Sequence, residues 1–320
     1  MGNLIVAVLG ASNYAGDLGK KSTATDIILY DFKRGADSVT FIEPTKYPER
    51  LSPLFYAVTM AEKAVIIVDE LNSTFGECLV MLQCSNVKGG YFILRNYLTK
   101  DRIEPLIRDT CLEKFEFVED NPTLLRERLI SEAAQQKPET EEDDAGIVPL
   151  DHAFNVKGVG TVVLGTIANG KIMKHDTMQV LPSGKTTQVR SIQKQDNEFD
   201  LAYQGERVGL ALRNIEFEDL ERGTVLTRDP SVKVSKMLDT QALLVKYWPA
   251  KMKIGMIVHV GHWMQFVNGR VEAVNDEGDW RKPALTVALN KELVHRSGDQ
   301  AVLMHLEGGK LRVVGTIELP

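Results

Sequence analysis

Hydrophobic positions follow two different patterns along the chain, and the change between them falls near residue 140. Before that point, short unbroken apolar runs at Leu4–Leu9, Ser38–Ile42, Ala64–Val68 and Tyr91–Leu94 alternate with stretches of helical spacing. Runs of this length suit strands buried on both faces of a parallel sheet. Helices are expected over Arg50–Lys63, which opens on Ser52-Pro53, over the amphipathic Glu77–Cys84, and over Asp101–Leu112. A further helix starts at Asn121-Pro122, a cap and first-turn proline ahead of Leu124, Leu125, Leu129 and Ile130. Interleaved strands and helices predict an α/β domain over residues 1–137.

From Ile147 onward helical spacing almost vanishes. Short β-branched runs at Gly160–Ile167, Met178–Leu181, Gln188–Ile192 and Arg207–Leu212 are broken by Asn169-Gly170, Ser183-Gly184 and Gly205. That is the pattern of barrels or sandwiches. Asp229-Pro230 divides the region into two all-β domains, 148–230 and 231–320. Between the two patterns, Glu139-Thr-Glu-Glu-Asp-Asp144 sets five acids in six residues. A charge run of this kind predicts a solvated linker over 138–147.

Composition adds a few exclusions. With 320 residues and 43% hydrophobic content the chain can bury more than one core. No apolar run approaches the ~18 residues of a membrane span. The LIVAVLG segment has no Lys or Arg before it, so neither a signal peptide nor membrane association is expected. Cys78, Cys84 and Cys111 form no C-x-x-C pair, which points to free thiols and a reducing, cytoplasmic location. The net charge of −6 argues against DNA as a partner and leaves RNA contacts to local patches.

The apolar run ending at Leu9 leads through Gly10 to Lys20-Lys21-Ser22 and then to Asp26–Tyr30, in the order of parts of a phosphate-binding loop. The spacing departs from G-x-x-x-x-G-K-[ST]. Counted from Gly10 the second glycine falls on Ala15, and counted back from Lys21-Ser22 it falls on Lys20. Gly10, Lys20, Lys21 and Ser22 therefore read as a remnant: a strand-to-helix turn whose lysines and helix N-terminus could still hold an anion. His259 and His262 sit three apart on an expected strand and face opposite sides, so no metal site is expected. Tyr247, Trp248 and Trp263 suit third-domain core better than an RNA platform. No residue spacing supports a catalytic centre.

The second domain carries a resemblance. Asp151-His-Ala-Phe154, Val156-Lys-Gly-Val-Gly-Thr-Val-Val163, Gly170-Lys-Ile172, Val189-Arg-Ser-Ile-Gln193, Gly205-Glu-Arg-Val-Gly-Leu-Ala-Leu212 and Glu221-Arg-Gly-Thr-Val-Leu226 resemble the second domain of translational GTPases. The run is most similar to the selenocysteine-specific elongation factor, and less so to elongation factor Tu. It also resembles short archaeal relatives of the selenocysteine factor linked to a special tRNA such as pyrrolysyl-tRNA. The last ninety residues are similar to the family's third domain through Gly269-Arg-Val271 and Leu311-Arg-Val-Val-Gly-Thr-Ile317.

This resemblance implies a P-loop NTPase-like α/β domain, in degenerate form, followed by two β-barrel domains. The family's D-x-P-G-H corresponds to Glu43-Pro-Thr-Lys-Tyr47, with a lysine for the γ-phosphate-sensing glycine and a tyrosine for the histidine. Its N-K-x-D corresponds to Asn96-Tyr-Leu-Thr99, which lacks the carboxylate that reads guanine. GTP and Mg²⁺ are accordingly expected to bind weakly or not at all, and GTPase activity to be lost. The resemblance also places an aminoacyl-tRNA acceptor end against Asp151, His152, Phe154, Lys157, Gly158 and Gly160, with Arg190, Arg207 and Arg213 available for RNA backbone. Leu164 departs from the family's usual threonine. Arg207 has Glu206 or Asp219 as possible partners. Two alternatives stand beside tRNA binding: a module that docks on the ribosome or a translation factor, and an atypical GTP-binding factor with a site rebuilt around Asp69-Glu70.

Overall fold

The computed structural model describes residues 2–136, 145–195 and 197–320; the acidic run Glu139–Asp144 lies outside the described residues. The N-terminal region runs β1 (Asn3–Leu9), α1 (Tyr14–Leu18), β2 (Lys20–Ala24), β3 (Ile27–Arg34), β4 (Asp37–Pro44), α2 (Ser52–Thr59), β5 (Lys63–Val68), α3 (Ser73–Cys84), β6 (Gly89–Leu94), α4 (Lys100–Ile107), β7 (Glu116–Val118) and α5 (Pro122–Gln135). One sheet takes the seven strands in the order β2-β3-β4-β1-β5-β6-β7. From β4 to β7 the pairs are parallel, whereas β2 and β3 pair antiparallel.

The parallel strands are buried as the unbroken apolar runs predict: Leu4 to Leu9 are all at most 1% exposed. Their core takes in Val6, Val65, Tyr91 and, from α5, Leu125, Leu129 and Ile130. The cap is where the sequence puts it, with the Asn121 side chain accepting from the Leu124 N–H at 3.1 Å. Asn72 caps α3 in the same way, accepting from Phe75 at 2.9 Å, so that helix starts four residues before the expected Glu77. The helix expected to reach Leu112 stops at Ile107. Asp109 turns left-handed, and a 3₁₀ turn over Cys111–Lys114 follows.

The main departure lies between Gly10 and Asp37. A helix was expected after Lys21-Ser22, and the structure has two strands there instead. Ile27–Tyr30 is a short apolar run of a kind that periodicity cannot assign to helix or strand. Tertiary pairing decides it: β3 meets β4 in register from Ile27 opposite Pro44 to Arg34 opposite Asp37. Ile27 and Leu29 are thereby fully buried. β2 then adds to the outer edge of β3, and α1 is left with five residues.

The second region contains β8 (Ile147–Val156), β9 (Gly160–Thr166), β10 (Lys171–Met173), β11 (Thr177–Leu181), β12 (Lys185–Lys194), β13 (Asn197–Phe199), β14 (Leu201–Tyr203), β15 (Arg207–Arg213) and β16 (Val225–Thr227). Strands β11-β16-β8-β9-β15-β12 follow one another, and a β11–β12 pairing closes the ring; β13 pairs with β12, and β10 with β14 in a separate ribbon. Val148, Leu150, Val163, Met178, Val189 and Leu210 fill the barrel. The third region, β17 (Lys233–Leu244), β18 (Ile257–His262), β19 (Gln265–Asn275), β20 (Ala284–His295), β21 (Gln300–Met304) and β22 (Val313–Glu318), is a closed barrel in the order β17-β20-β19-β18-β21-β22. The architecture is the expected one: an α/β domain and two six-stranded barrels.

By compactness the chain divides into two units. One comprises Met1–Lys137 with Leu244–Ala250 and Val302–Thr316; the other comprises Pro138–Leu243, Lys251–Ala301 and Ile317–Pro320.

Candidate functional site

At the end of β1 the chain turns through Gly10, whose φ of +95° and approach to Ile67 require glycine: a Cβ there would lie 1.9 Å from the Ile67 carbonyl oxygen. Only Ala11, Ser12 and Asn13 separate it from α1. Two backbone N–H groups, one at the end of this short loop and one in the first turn of α1, are taken by a carboxylate. Glu43, at the end of β4 and 4% exposed, accepts from Asn13 N–H at 2.6 Å and from Ala15 N–H at 3.1 Å. Burial raises the Glu43 pKa, and these two hydrogen bonds oppose the rise.

Lys20, Lys21 and Ser22 are exposed on the edge strand β2, and Ser22 Oγ donates to the Leu29 carbonyl at 3.3 Å. They follow the C-terminus of α1, so the lysine-lined helix N-terminus expected from the sequence is not assembled. Neighbouring polar groups at the same ends of the parallel strands are bonded to one another. Tyr14 donates to Asp120 at 2.9 Å, Arg95 Nε donates to Asp120 at 2.7 Å, and Asn96 Nδ2 donates to the Asp69 carbonyl at 3.0 Å. Tyr47, which stands for the family histidine, is turned into α3, its hydroxyl donating to the Thr74 carbonyl at 2.9 Å. A nucleotide phosphate needs the loop N–H groups and a lysine together. Here Glu43 accepts from the Asn13 and Ala15 N–H groups, and Lys20 and Lys21 stand on the edge strand β2.

The second barrel is organised differently. A bulge in β8 between Leu150 and His152 drops Asp151 into the wall, where it is 1% exposed. Arg207, at the start of β15, grips it with both terminal nitrogens, one of them at 3.0 Å; Asp151 Oδ1 also meets His152 Nδ1. Arg222 Nε donates to the Asp151 backbone carbonyl at 3.2 Å. Burial alone would raise the Asp151 pKa. The Arg207 charge and the hydrogen bonds from His152 and Arg207 outweigh it and hold the carboxyl well below the usual range. Neither partner expected for Arg207 is the real one: Glu206 is bound by Lys194 at 2.9 Å, and Asp219 by Lys185 at 2.5 Å.

The Asp151 anchor fixes the His152 ring, and Phe154 lies parallel to it with an interplanar angle of 4° and centroids 6.0 Å apart. Phe154 points outward, 38% exposed, so it belongs to the barrel's surface and not to its core. Three residues on, Lys157–Val159 form the turn between β8 and β9; Gly158 and Gly160 have φ of +82° and +94° with open space around them. Their role is the turn conformation. Arg190, at a bulge in β12, donates to the Val159 carbonyl at 3.0 Å and braces that turn. Arg213 is exposed at the far end of β15 from Arg207, six residues and ~20 Å along the strand. The strands thus gather Asp151, His152, Phe154 and Arg207 into one anchored group and Lys157–Gly160 with Arg190 into a second, with Arg213 outside the first. Arg222 lies in the Glu221–Leu226 motif, but the resemblance assigns it no role there, since its contact is with a backbone carbonyl.

Elsewhere, His262 Nε2 lies 3.2 Å from Asp299 while His259 packs on Phe266. Trp248 is buried against His305, and Trp263 packs on an apolar cluster that includes Ile147 and Val294. No group of three metal-ligating side chains occurs among the described residues. No helix among them is long and apolar enough to cross a membrane.

Comparison with known proteins follows this division. The model of elongation factor Tu domain 2 matches residues 160–227. A selenocysteine-specific elongation factor of Methanocaldococcus jannaschii is 36% identical over 136 residues, 41% of this chain and 29% of that protein. The fold resembles the elongation factor SelB of Methanococcus maripaludis in complex with the GTP analogue GppNHp, with a TM-score of 0.82, 20% identity, and coverage of 99% of this chain and 79% of that one. Along its full length the chain is 34% identical over 322 residues to an uncharacterized M. jannaschii protein, MJ0325, which it covers completely. The chain belongs to the SelB-like family of translational GTPases. Within this family it shares its whole extent with MJ0325, whereas it matches less than a third of the M. jannaschii selenocysteine-specific factor.

Proposed function

We propose that this SelB-like protein binds the acceptor end of an aminoacylated tRNA and does so without a GTP-driven switch. The observation that carries the reading is Glu43: its carboxylate accepts the Asn13 and Ala15 N–H groups, where a nucleotide phosphate would need free donors. The second barrel, in contrast, keeps Phe154 outward-facing beside the anchored Asp151, His152 and Arg207. An aromatic such as Phe154 can stack on a terminal base, worth ~1–3 kcal/mol. Lys157 and the surrounding arginines are of the right charge for phosphate or an aminoacyl ester. The matched relatives are named elongation factors, which supports translation as the setting. The special tRNA suggested by kinship, pyrrolysyl-tRNA among them, is one that direct comparison of charged tRNAs would identify.

The test is fluorescence anisotropy with a labelled aminoacylated acceptor minihelix over a range of salt. Saturable binding whose affinity falls steeply with salt is expected, since each phosphate neutralised releases counterions. Salt-independent binding, or none, would overturn the reading. The net charge of −6 favours the second reading, a module that docks on another translation component. Retention of the protein by ribosomes with no affinity for the minihelix would select it.

A further inference from the structure

We infer that Arg312 is a built-in latch that holds the Tyr47–Arg50 segment in one conformation regardless of nucleotide. This inference rests on the proposed unswitched function and names what takes over the holding role. The segment following Glu43 occupies the position of the family's D-x-P-G-H, and it leads directly into α2. Its contacts converge on Arg312, just before β22. Arg312 Nε and its own backbone N–H donate to Glu77 Oε1 at 3.1 and 2.8 Å, and a terminal nitrogen donates to Glu77 Oε2 at 2.5 Å. The other terminal nitrogen donates to the Pro48 carbonyl at 3.0 Å. The guanidinium also lies 5.9 Å from the centre of the Tyr47 ring.

The Arg312–Glu77 pair is poor in solvent, with Glu77 3% exposed on α3 and the Arg312 side chain 15%, while Tyr47 is half-buried and Pro48 exposed. A fork-shaped cation with two hydrogen bonds to one carboxylate fixes orientation as well as distance. With Tyr47 bonded to the Thr74 carbonyl, α3, Tyr47–Pro48 and the stretch before β22 are tied at one point. These pieces fall in the same compact unit, which takes in Val302–Thr316 along with the N-terminal residues. None of the contacts involves the loop at Gly10, so the hold is independent of that loop.

Hydrogen exchange followed by mass spectrometry on the full chain tests this, with wild type, Arg312→Gln and Glu77→Gln, each with and without GTP and Mg²⁺. In both variants exchange in peptides covering 45–50 and 72–78 should rise at least tenfold, while peptides from β8 to β16 stay unchanged. Should Arg312→Gln fail to fold, Glu77→Gln alone decides. Unchanged exchange over 45–50 in the variants would overturn the latch. A GTP-dependent change over 45–50 in wild type would overturn the latch and the unswitched function together, whereas unchanged exchange in the variants overturns the latch alone, so the two failures are distinguishable.

Discussion

The residue that organises the second-barrel surface is Asp151. Its carboxylate is buried with Arg207, whose side chain is 12% exposed. Removing one member of such a pair leaves a buried charge uncompensated, a loss of about 3–5 kcal/mol. Asp151→Asn should cost that much at neutral pH in urea unfolding. Because the folded-state pKa is depressed, the stabilisation is whole above the ordinary carboxylate pKa of ~3.9 and is lost only as pH falls through the lower folded value. The gap between wild type and variant should therefore be equal at pH 7 and pH 5 and shrink only in stronger acid; a gap already closed at pH 5 contradicts the assignment. Phe154→Ala, in contrast, removes an exposed ring. It should weaken binding of the charged minihelix by about fivefold to 150-fold with little change in unfolding midpoint. A large loss of stability would mean that the ring is packing, not platform.

At the scale of elements, the sequence is most informative where one pattern has one solution. The buried runs of β1, β5 and β6 are unbroken, and Asn121-Pro122 is a cap with a mechanism; Asn121→Ala should cost about 1 kcal/mol in thermal unfolding, and no loss would contradict the cap. The Lys20–Tyr30 stretch has two solutions, and the choice depends on a partner, β4, that local spacing does not reveal. The anion site expected there disappears with the helix. Replacing Lys20 and Lys21 by Gln should change stability by less than about 0.5 kcal/mol, as for exposed side chains without special roles. A larger loss would show that the edge strand is misassigned. Candidate site residues were legible through their motif, but their roles were not. Arg207 was within reach of two acids in sequence, and it pairs with a third that a bulge turns inward.

For the whole molecule, membership of the SelB-like family fixes three architectural parts but not their uses. In the α/β part, Glu43–Asn13, Tyr14–Asp120 and Tyr47–Thr74 bond residues at and beside the family's nucleotide-motif positions to one another. In the second barrel Asp151, His152 and Arg207 are anchored in the wall and Phe154 beside them is exposed. On the function proposed above, a protein built this way would carry charged tRNA with a grip that does not depend on nucleotide. The most direct measurement is the rate of spontaneous hydrolysis of the aminoacyl ester on tRNA mixed with excess protein, with and without GTP and Mg²⁺. The account predicts slowed hydrolysis, to the same extent in both conditions. Hydrolysis unaffected by the protein, or slowed only when GTP is present, would contradict it.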